Sequence, residues 1–283
     1  MPNRVLLTGA DGSLGRIIRQ GLRGTWPVLR LSHRRPFGDP EPGEEIVLAN
    51  LDVYEEVEAA MDQVDVVVHM GGMADEAPWD VIEKNNILGV YNVFEAARSK
   101  GVQRLLYASS NHITGYYRRD RKLSGTEPPR PDSLYGVGKA FGEALGRLYA
   151  DKYNISVINL RIGTCREYPV NLRMLSTWLS FRDLVQLVRV CVEAPAVHYE
   201  TVWGVSANDR IWWDNAAAYR LGYRPTDNAE DHLDRALEGE SQSRLAGQPL
   251  TGVPPGPESE VERSLQGGHF CAMGFTGELN KIS

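Results

Sequence analysis

Short, uniformly apolar runs alternate with amphipathic stretches through most of the chain. Arg4-Val-Leu-Leu-Thr8 shows no polar alternation, the pattern of a strand covered on both faces. Similar runs predict strands at Pro27–Leu31, Ile46–Ala49, Asp65–Met70, Gln103–Ser109, Ile155–Arg161 and Thr201–Val205. Between them, apolar residues at helical spacing predict helices at Arg16–Arg23, Tyr54–Met61, Trp79–Lys100, Phe181–Val192 and Arg210–Leu221, and another from Ser133 onward. This order predicts an α/β fold, a doubly wound parallel sheet of about seven strands with helices on both faces. Its crossovers are right-handed, and its ligands bind at the carboxyl ends of the strands.

The pattern stops near Asp231. Glu238–Pro257 is rich in Gly, Ser, Pro and Glu and reads as a linker. Beyond it, Phe270-Cys-Ala-Met-Gly-Phe275 forms an apolar patch that could dock onto the fold or onto a neighbouring subunit. The expected organisation is one domain over residues 1–235, with its substrate part mainly in 165–235, and a linker-like extension over 236–283. The face of the 181–192 helix suits the core or a second copy of the chain, so a homo-oligomer is compatible with the pattern.

Composition narrows the class. The 283 residues, 42% hydrophobic and 24% charged, supply a sizeable core. A net charge of −6 argues against nucleic acid or an anionic membrane as the main partner. There is no run of eighteen apolar residues, so no membrane-spanning helix is expected, and no leader precedes the first strand. Cys165, Cys191 and Cys271 are scattered, without a CxxC pair. They predict buried, reduced thiols in a cytoplasmic protein, with no disulfide and no metal site.

The chemistry begins directly after the first strand. Gly9-Ala-Asp11-Gly12-Ser13-Leu14-Gly15 lies between a strand and a helix, the setting of a dinucleotide-binding turn. Its glycines let the backbone approach a pyrophosphate seated on the helix N-terminus. The second strand should end in an acid if the cofactor is NAD, to hold the adenosine 2′-hydroxyl. The residues present are His33, Arg34 and Arg35, and arginine suits a 2′-phosphate, so this stretch leans towards NADP. Asn50 and Leu51 are placed to border the adenine, and Met70-Gly71-Gly72 gives a second close backbone approach.

Ser133-Leu-Tyr-Gly-Val-Gly-Lys139 sets Tyr135 and Lys139 on one helix face, about 5–6 Å apart at Cβ. An ammonium beside a phenol favours the phenolate, so Tyr135 is expected to titrate below about 10 and to act as a general base. The fifth strand runs into Ser110, Asn111 and His112, polar groups at the strand end where such a sheet places its chemistry.

Together, Gly9, Gly12, Gly15, Asn86, Ser110, Tyr135 and Lys139 resemble the extended short-chain dehydrogenase/reductases, the NAD-dependent epimerase/dehydratase superfamily, over about residues 1–165. The resemblance implies a Rossmann-type fold. It also implies that Ser110 and Tyr135 hydrogen-bond the reacting oxygen and that Tyr135 moves its proton. Lys139 would bind the nicotinamide ribose, Asn86 would touch the cofactor and support a proton-relay water, and Ile162 would join the cofactor contacts. A narrower likeness, to the uronate dehydrogenases, rests on Ala108–His112, Pro131–Gly136, Arg161–Cys165, Arg173-Met174, Thr177–Ser180 and Trp212–Asn215, and runs to about Glu230. It implies oxidation of galacturonate or glucuronate at C1 to an aldarolactone by NAD(P). Ser110, Asn111, His112, Tyr135, Thr164 and Arg173 would line the sugar site, with Arg173 on the C6 carboxylate. Two positions depart from that likeness: the acid after strand two is missing, and Ala74 stands where those proteins carry a serine. The alternatives are a nucleotide-sugar epimerase or dehydratase, and a non-catalytic NAD(P)-binding regulator. The short stretch 165–235 favours a small, unactivated substrate over a nucleotide-sugar.

Overall fold

The computed structural model describes residues 1–246 and 258–282. The chain runs β1 (Arg4–Thr8), α1 (Ser13–Leu22), β2 (Val28–His33), β3 (Glu44–Leu48), α2 (Tyr54–Ala60) and β4 (Val66–His69). Next come α3 (Trp79–Ile82), α4 (Gly89–Ser99), β5 (Arg104–Ser110), α5 (Leu134–Tyr153) and β6 (Ser156–Ile162). Then follow β7 (Thr164–Cys165), α6 (Met174–Thr177), β8 (Trp178–Leu179), α7 (Phe181–Glu193), β9 (Tyr199–Gly204) and α8 (Ala216–Leu221). The described residues continue with α9 (Leu233–Ala246), α10 (Glu260–Ser264), α11 (His269–Ala272) and a 3-10 turn at Leu279–Lys281.

Seven strands form one parallel sheet in the order β3-β2-β1-β4-β5-β6-β9. β7 and β8 pair in a separate short ribbon. The apolar runs read from the sequence are the strands, because both sheet faces are covered. On one face Ile18, Leu22, Leu184, Leu187 and Val188 pack against Val5, Leu7 and Leu106. On the other, Val57, Val93, Phe94 and Tyr149 pack against Leu6, Val67 and Leu105. Each such side chain contributes about 1.5–3 kcal/mol on burial. The strand order turns back between β1 and β4, so a crevice opens above their carboxyl ends.

Three local expectations are corrected. The helix expected over 79–100 is interrupted by a π turn at Glu83–Leu88, whose wider winding carries Asn85 and Asn86 past the crevice. The helix expected from Arg210 starts only at Ala216, because 211–213 serve another purpose: Trp213 is buried against Trp203 (ring centres 4.5 Å, nearly parallel) and its neighbour's carbonyl accepts from Leu123 N. α9 runs through residues expected to be a linker, and 258–282 pack against the sheet's carboxyl end. The rest of that linker, 247–257, lies outside the described residues. No helix among the described residues is long and apolar enough to cross a membrane.

Candidate active site

A cavity of about 1040 Å³ lies over the carboxyl ends of the strands. Its first half is the turn between β1 and α1. Gly9 adopts φ +66°, and a Cβ there would lie 2.8 Å from Gly71 N; a Cβ on Gly15 would lie 2.1 Å from Gly9 O. Only glycine lets these two turns meet. Thr8 Oγ1 accepts from Gly71 N (3.3 Å) and holds the second turn in place. No side chain caps α1 at Gly12, and its first turn carries no acid. Its free N–H groups therefore face the cavity as a seat for an anion, which fits a dinucleotide pyrophosphate. Gly9, Gly12, Ser13, Leu14, Gly15, Met70, Gly71, Gly72 and Ile162 all line the cavity.

At the adenosine end, His33, Arg34, Asn50 and Leu51 line the cavity. Arg34 is exposed and near enough to Asp52 to lower its pKa, after the larger effect of the Lys84 ammonium (2.8 Å). Three expected cofactor contacts are absent from the lining. Asp11 turns aside to pair with Arg16 (2.9 Å). Arg35 is exposed, and its main-chain N–H donates to His33 Nδ1 (3.3 Å). Asn86 is buried beneath the 71–73 turn, where its amide accepts from Met73 N (2.8 Å) and donates to Met73 O (3.0 Å). Its side chain shapes the cofactor floor without reaching the cavity.

The second half is built on β5 and α5. Ser133 caps α5 by accepting from Gly136 N (3.0 Å), and Glu76 accepts from Leu134 N and Tyr135 N (3.1 and 2.8 Å). These contacts fix the helix start, and with it Tyr135. The Ser110 hydroxyl lies near enough to the Tyr135 phenol to favour its charged form. Lys139 donates to Ala108 O (2.7 Å), and its Nζ lies 5.5 Å from the Tyr135 ring centre. The expected lowering of the Tyr135 pKa is not found. Burial pushes it up to about 12, only partly offset by Ser110, and the same burial takes Lys139 down to about 8. Both groups are almost fully enclosed, so loss of water dominates both shifts.

The sugar-site expectations converge. Ser110, Asn111, His112, Thr164 and Arg173 all line the cavity near Tyr135. Arg173 donates from Nε and Nη2 to Gln266 O (2.9 and 2.7 Å). With its amide oriented to satisfy both ends, Asn111 donates to Ile162 O (3.1 Å) and accepts from Arg173 Nη2 (3.0 Å). No acid among the described residues pairs with Arg173, and burial, with the nearby Arg119 cation, lowers its pKa to about 10. Among the described residues Nη1 has no hydrogen-bond partner. Thr164 Oγ1 lies 3.1 Å from Thr177 Oγ1. His112 Nδ1 lies 2.7 Å from Asp132 Oδ2.

Four functional residues escaped the reading of the sequence. Glu76 and Asp132 act through groups they hold, and Gln266 and Phe270 belong to the C-terminal segment. The Phe270 ring stacks on His112 (centres 4.0 Å) and stands edge-on to Tyr135 (6.3 Å). The apolar patch around Phe270 was a usable signal; nothing local marked Gln266.

A model of the NAD dependent epimerase/dehydratase family matches residues 5–165. The chain belongs to that family. Among curated members, uronate dehydrogenase of Pseudomonas putida is 44% identical over 229 residues, 81% of this chain and 85% of that protein. A solved structure of a mutant uronate dehydrogenase from Agrobacterium tumefaciens complexed with NAD superposes with a TM-score of 0.86 at 40% identity, covering 95% of this chain and 97% of that one. Glucuronic acid dehydrogenase from Chromohalobacter salexigens gives a TM-score of 0.85 at 38% identity, covering 99% and 100%.

Proposed function

We propose that this family member oxidises the C1 hydroxyl of a cyclic hexuronic acid, galacturonate or glucuronate, to an aldarolactone. The observation that carries the reading is Arg173, a guanidinium without an acidic partner among the described residues, in the cavity that holds Tyr135, Ser110 and Lys139. Its Nη1 end suits the C6 carboxylate, and the likeness to uronate dehydrogenases over nearly the whole chain supports the same substrate class.

The Gly9–Gly15 turn would hold a nicotinamide cofactor, which would supply the hydride acceptor. The chain's own residues do the rest. Arg173 and Asn111 orient the sugar, and Ser110 holds the C1 oxygen. Tyr135 takes the hydroxyl proton at its phenol oxygen, and Lys139 supplies a positive charge beside it. Phe270 keeps water from that oxygen. The relatives favour NAD. His33 and Arg34 place a cation where an NAD-selective site carries an acid, so NADP is read as accepted too.

The test mixes the purified protein with galacturonate or glucuronate and either cofactor, and follows absorbance of the reduced nicotinamide. Reduction with a uronate, and little with the neutral hexose or a hexose 6-phosphate, supports the reading. No reduction with either uronate and either cofactor overturns it. An epimerase would change added sugar without net reduction of added cofactor.

A further inference from the structure

His112 stands at the centre of the sugar site, yet the acid that controls it lies outside. Asp132 has a fully enclosed side chain, whereas the His112 side chain is partly open to the cavity. Asp132 Oδ2 is 2.7 Å from His112 Nδ1, and Asp132 Oδ1 accepts from the Ser133 hydroxyl (2.8 Å). The two residues are also joined through the backbone, Asp132 N donating to His112 O (3.3 Å). The C-terminal segment closes around the same carboxylate: a Cβ on Gly267 would come within 1.9 Å of Oδ2, and Cys271 Sγ lies 3.9 Å from it.

We infer that Asp132 is a positioning residue that holds the His112 proton on Nδ1 and leaves Nε2 as a hydrogen-bond acceptor for one hydroxyl of the sugar. A carboxylate has only acceptors to offer, so a neutral imidazole beside it must donate from Nδ1. Nε2 then carries a lone pair, and with Phe270 stacked flat on the ring its direction is fixed. Arg173 reads the acid and Ser110 and Tyr135 read C1; His112 reads a hydroxyl between them. This rests on the uronate reading only for the identity of that hydroxyl, and the tautomer itself belongs to the ligand-free protein.

The test is therefore made on the protein alone. The chain has six histidines, and a selectively 15N-labelled sample at about pH 8, above the ordinary imidazole range, reports which ring nitrogen carries the proton, with His112→Gln assigning the signal. The expected result is a neutral His112 protonated at Nδ1. Protonation at Nε2, or at both nitrogens, overturns the inference, whatever the substrate proves to be. In Asp132→Asn the Ser133 hydroxyl holds the amide oxygen and turns its NH2 towards His112, so the proton should move to Nε2. kcat/KM for the uronate should then fall about 10- to 100-fold, the scale on which carboxylates that orient a histidine act, with cofactor affinity unchanged. In a His112→Gln background the same change should cost almost nothing further. An equal loss in both backgrounds marks Asp132 as merely structural and overturns the inference. Should Asp132→Asn not fold, the unmodified protein's spectrum still decides.

Discussion

Arg173 gives two of its N–H groups to a single main-chain oxygen, that of Gln266 (2.9 and 2.7 Å). The guanidinium is thus already oriented before an acid arrives, and what remains is its Nη1 end. A carboxylate would therefore meet it end-on rather than through the side-on fork expected of an isolated arginine. Charged hydrogen bonds of this kind contribute about 1.5–3 kcal/mol. Arg173→Ala should raise KM for uronates about 10- to 100-fold and leave oxidation of neutral sugars unchanged. Equal effects on both substrates would remove Arg173 from the carboxylate.

Gly268 offers a subtler perturbation of the same contact. It adopts φ +63°, and a Cβ there would lie 2.7 Å from Arg173 Cδ. Gly268→Ala should displace the guanidinium and raise KM for uronates, with kcat and cofactor affinity much less affected. Steady-state kinetics with saturating cofactor checks this.

Tyr135→Phe should lower kcat about 10²- to 10⁴-fold with cofactor binding retained, as measured by fluorescence titration. The phenol titrates near 12 in the ligand-free protein, so below that value its basic form becomes about tenfold more abundant with each unit the pH rises. kcat/KM should accordingly rise with pH on the acid side of its optimum, and this rise should vanish in Tyr135→Phe.

Lys139 carries a stability cost. It titrates near 8 in the fold against the usual 10.5. Between those values the folded state binds fewer protons than the unfolded one. The stability of the ligand-free protein therefore rises with pH across that window and is lowest below it. Lys139→Met should stabilise the ligand-free protein at neutral pH by something on the order of 1–3 kcal/mol while abolishing turnover. Thermal melts at neutral and alkaline pH test this; a variant no more stable than the parent would show that the hydrogen bond to Ala108 offsets the burial of the charge.

Arg34→Ala should weaken NADP use more than NAD use, because only NADP carries the 2′-phosphate that the guanidinium can hold. Parallel kinetics with both cofactors check it, and an equal effect would mean that Arg34 is only a solvated charge.

The sheet was readable because a parallel strand buried on both faces leaves an uninterrupted apolar run, as at Val66–His69 and Arg104–Ser110. The cofactor turn was readable because its glycines are demanded by backbone contact, which only one residue type satisfies. The π turn was not, since Asn85-Asn86 differs from an α-helical stretch only in how tertiary contacts wind it. The shift of Tyr135 towards 12 was missed for a related reason: spacing shows that Lys139 is near, while the loss of water depends on the whole enclosure. Gln266 was out of reach because it acts through a main-chain oxygen, which every residue possesses.

The C-terminal segment has one more implication. Among the described residues, its wall on the proposed sugar site shares no ladder with the seven-stranded sheet; it is attached by isolated contacts such as the Arg118–Leu265 bridge and the Gln266 bonds to Arg118 and Arg121. Substitutions there leave the strand pairings and the cofactor turn untouched. Substrate range can thus diversify among descendants of this scaffold by drift in a stretch of some two dozen residues, while the redox half of the molecule is inherited unchanged.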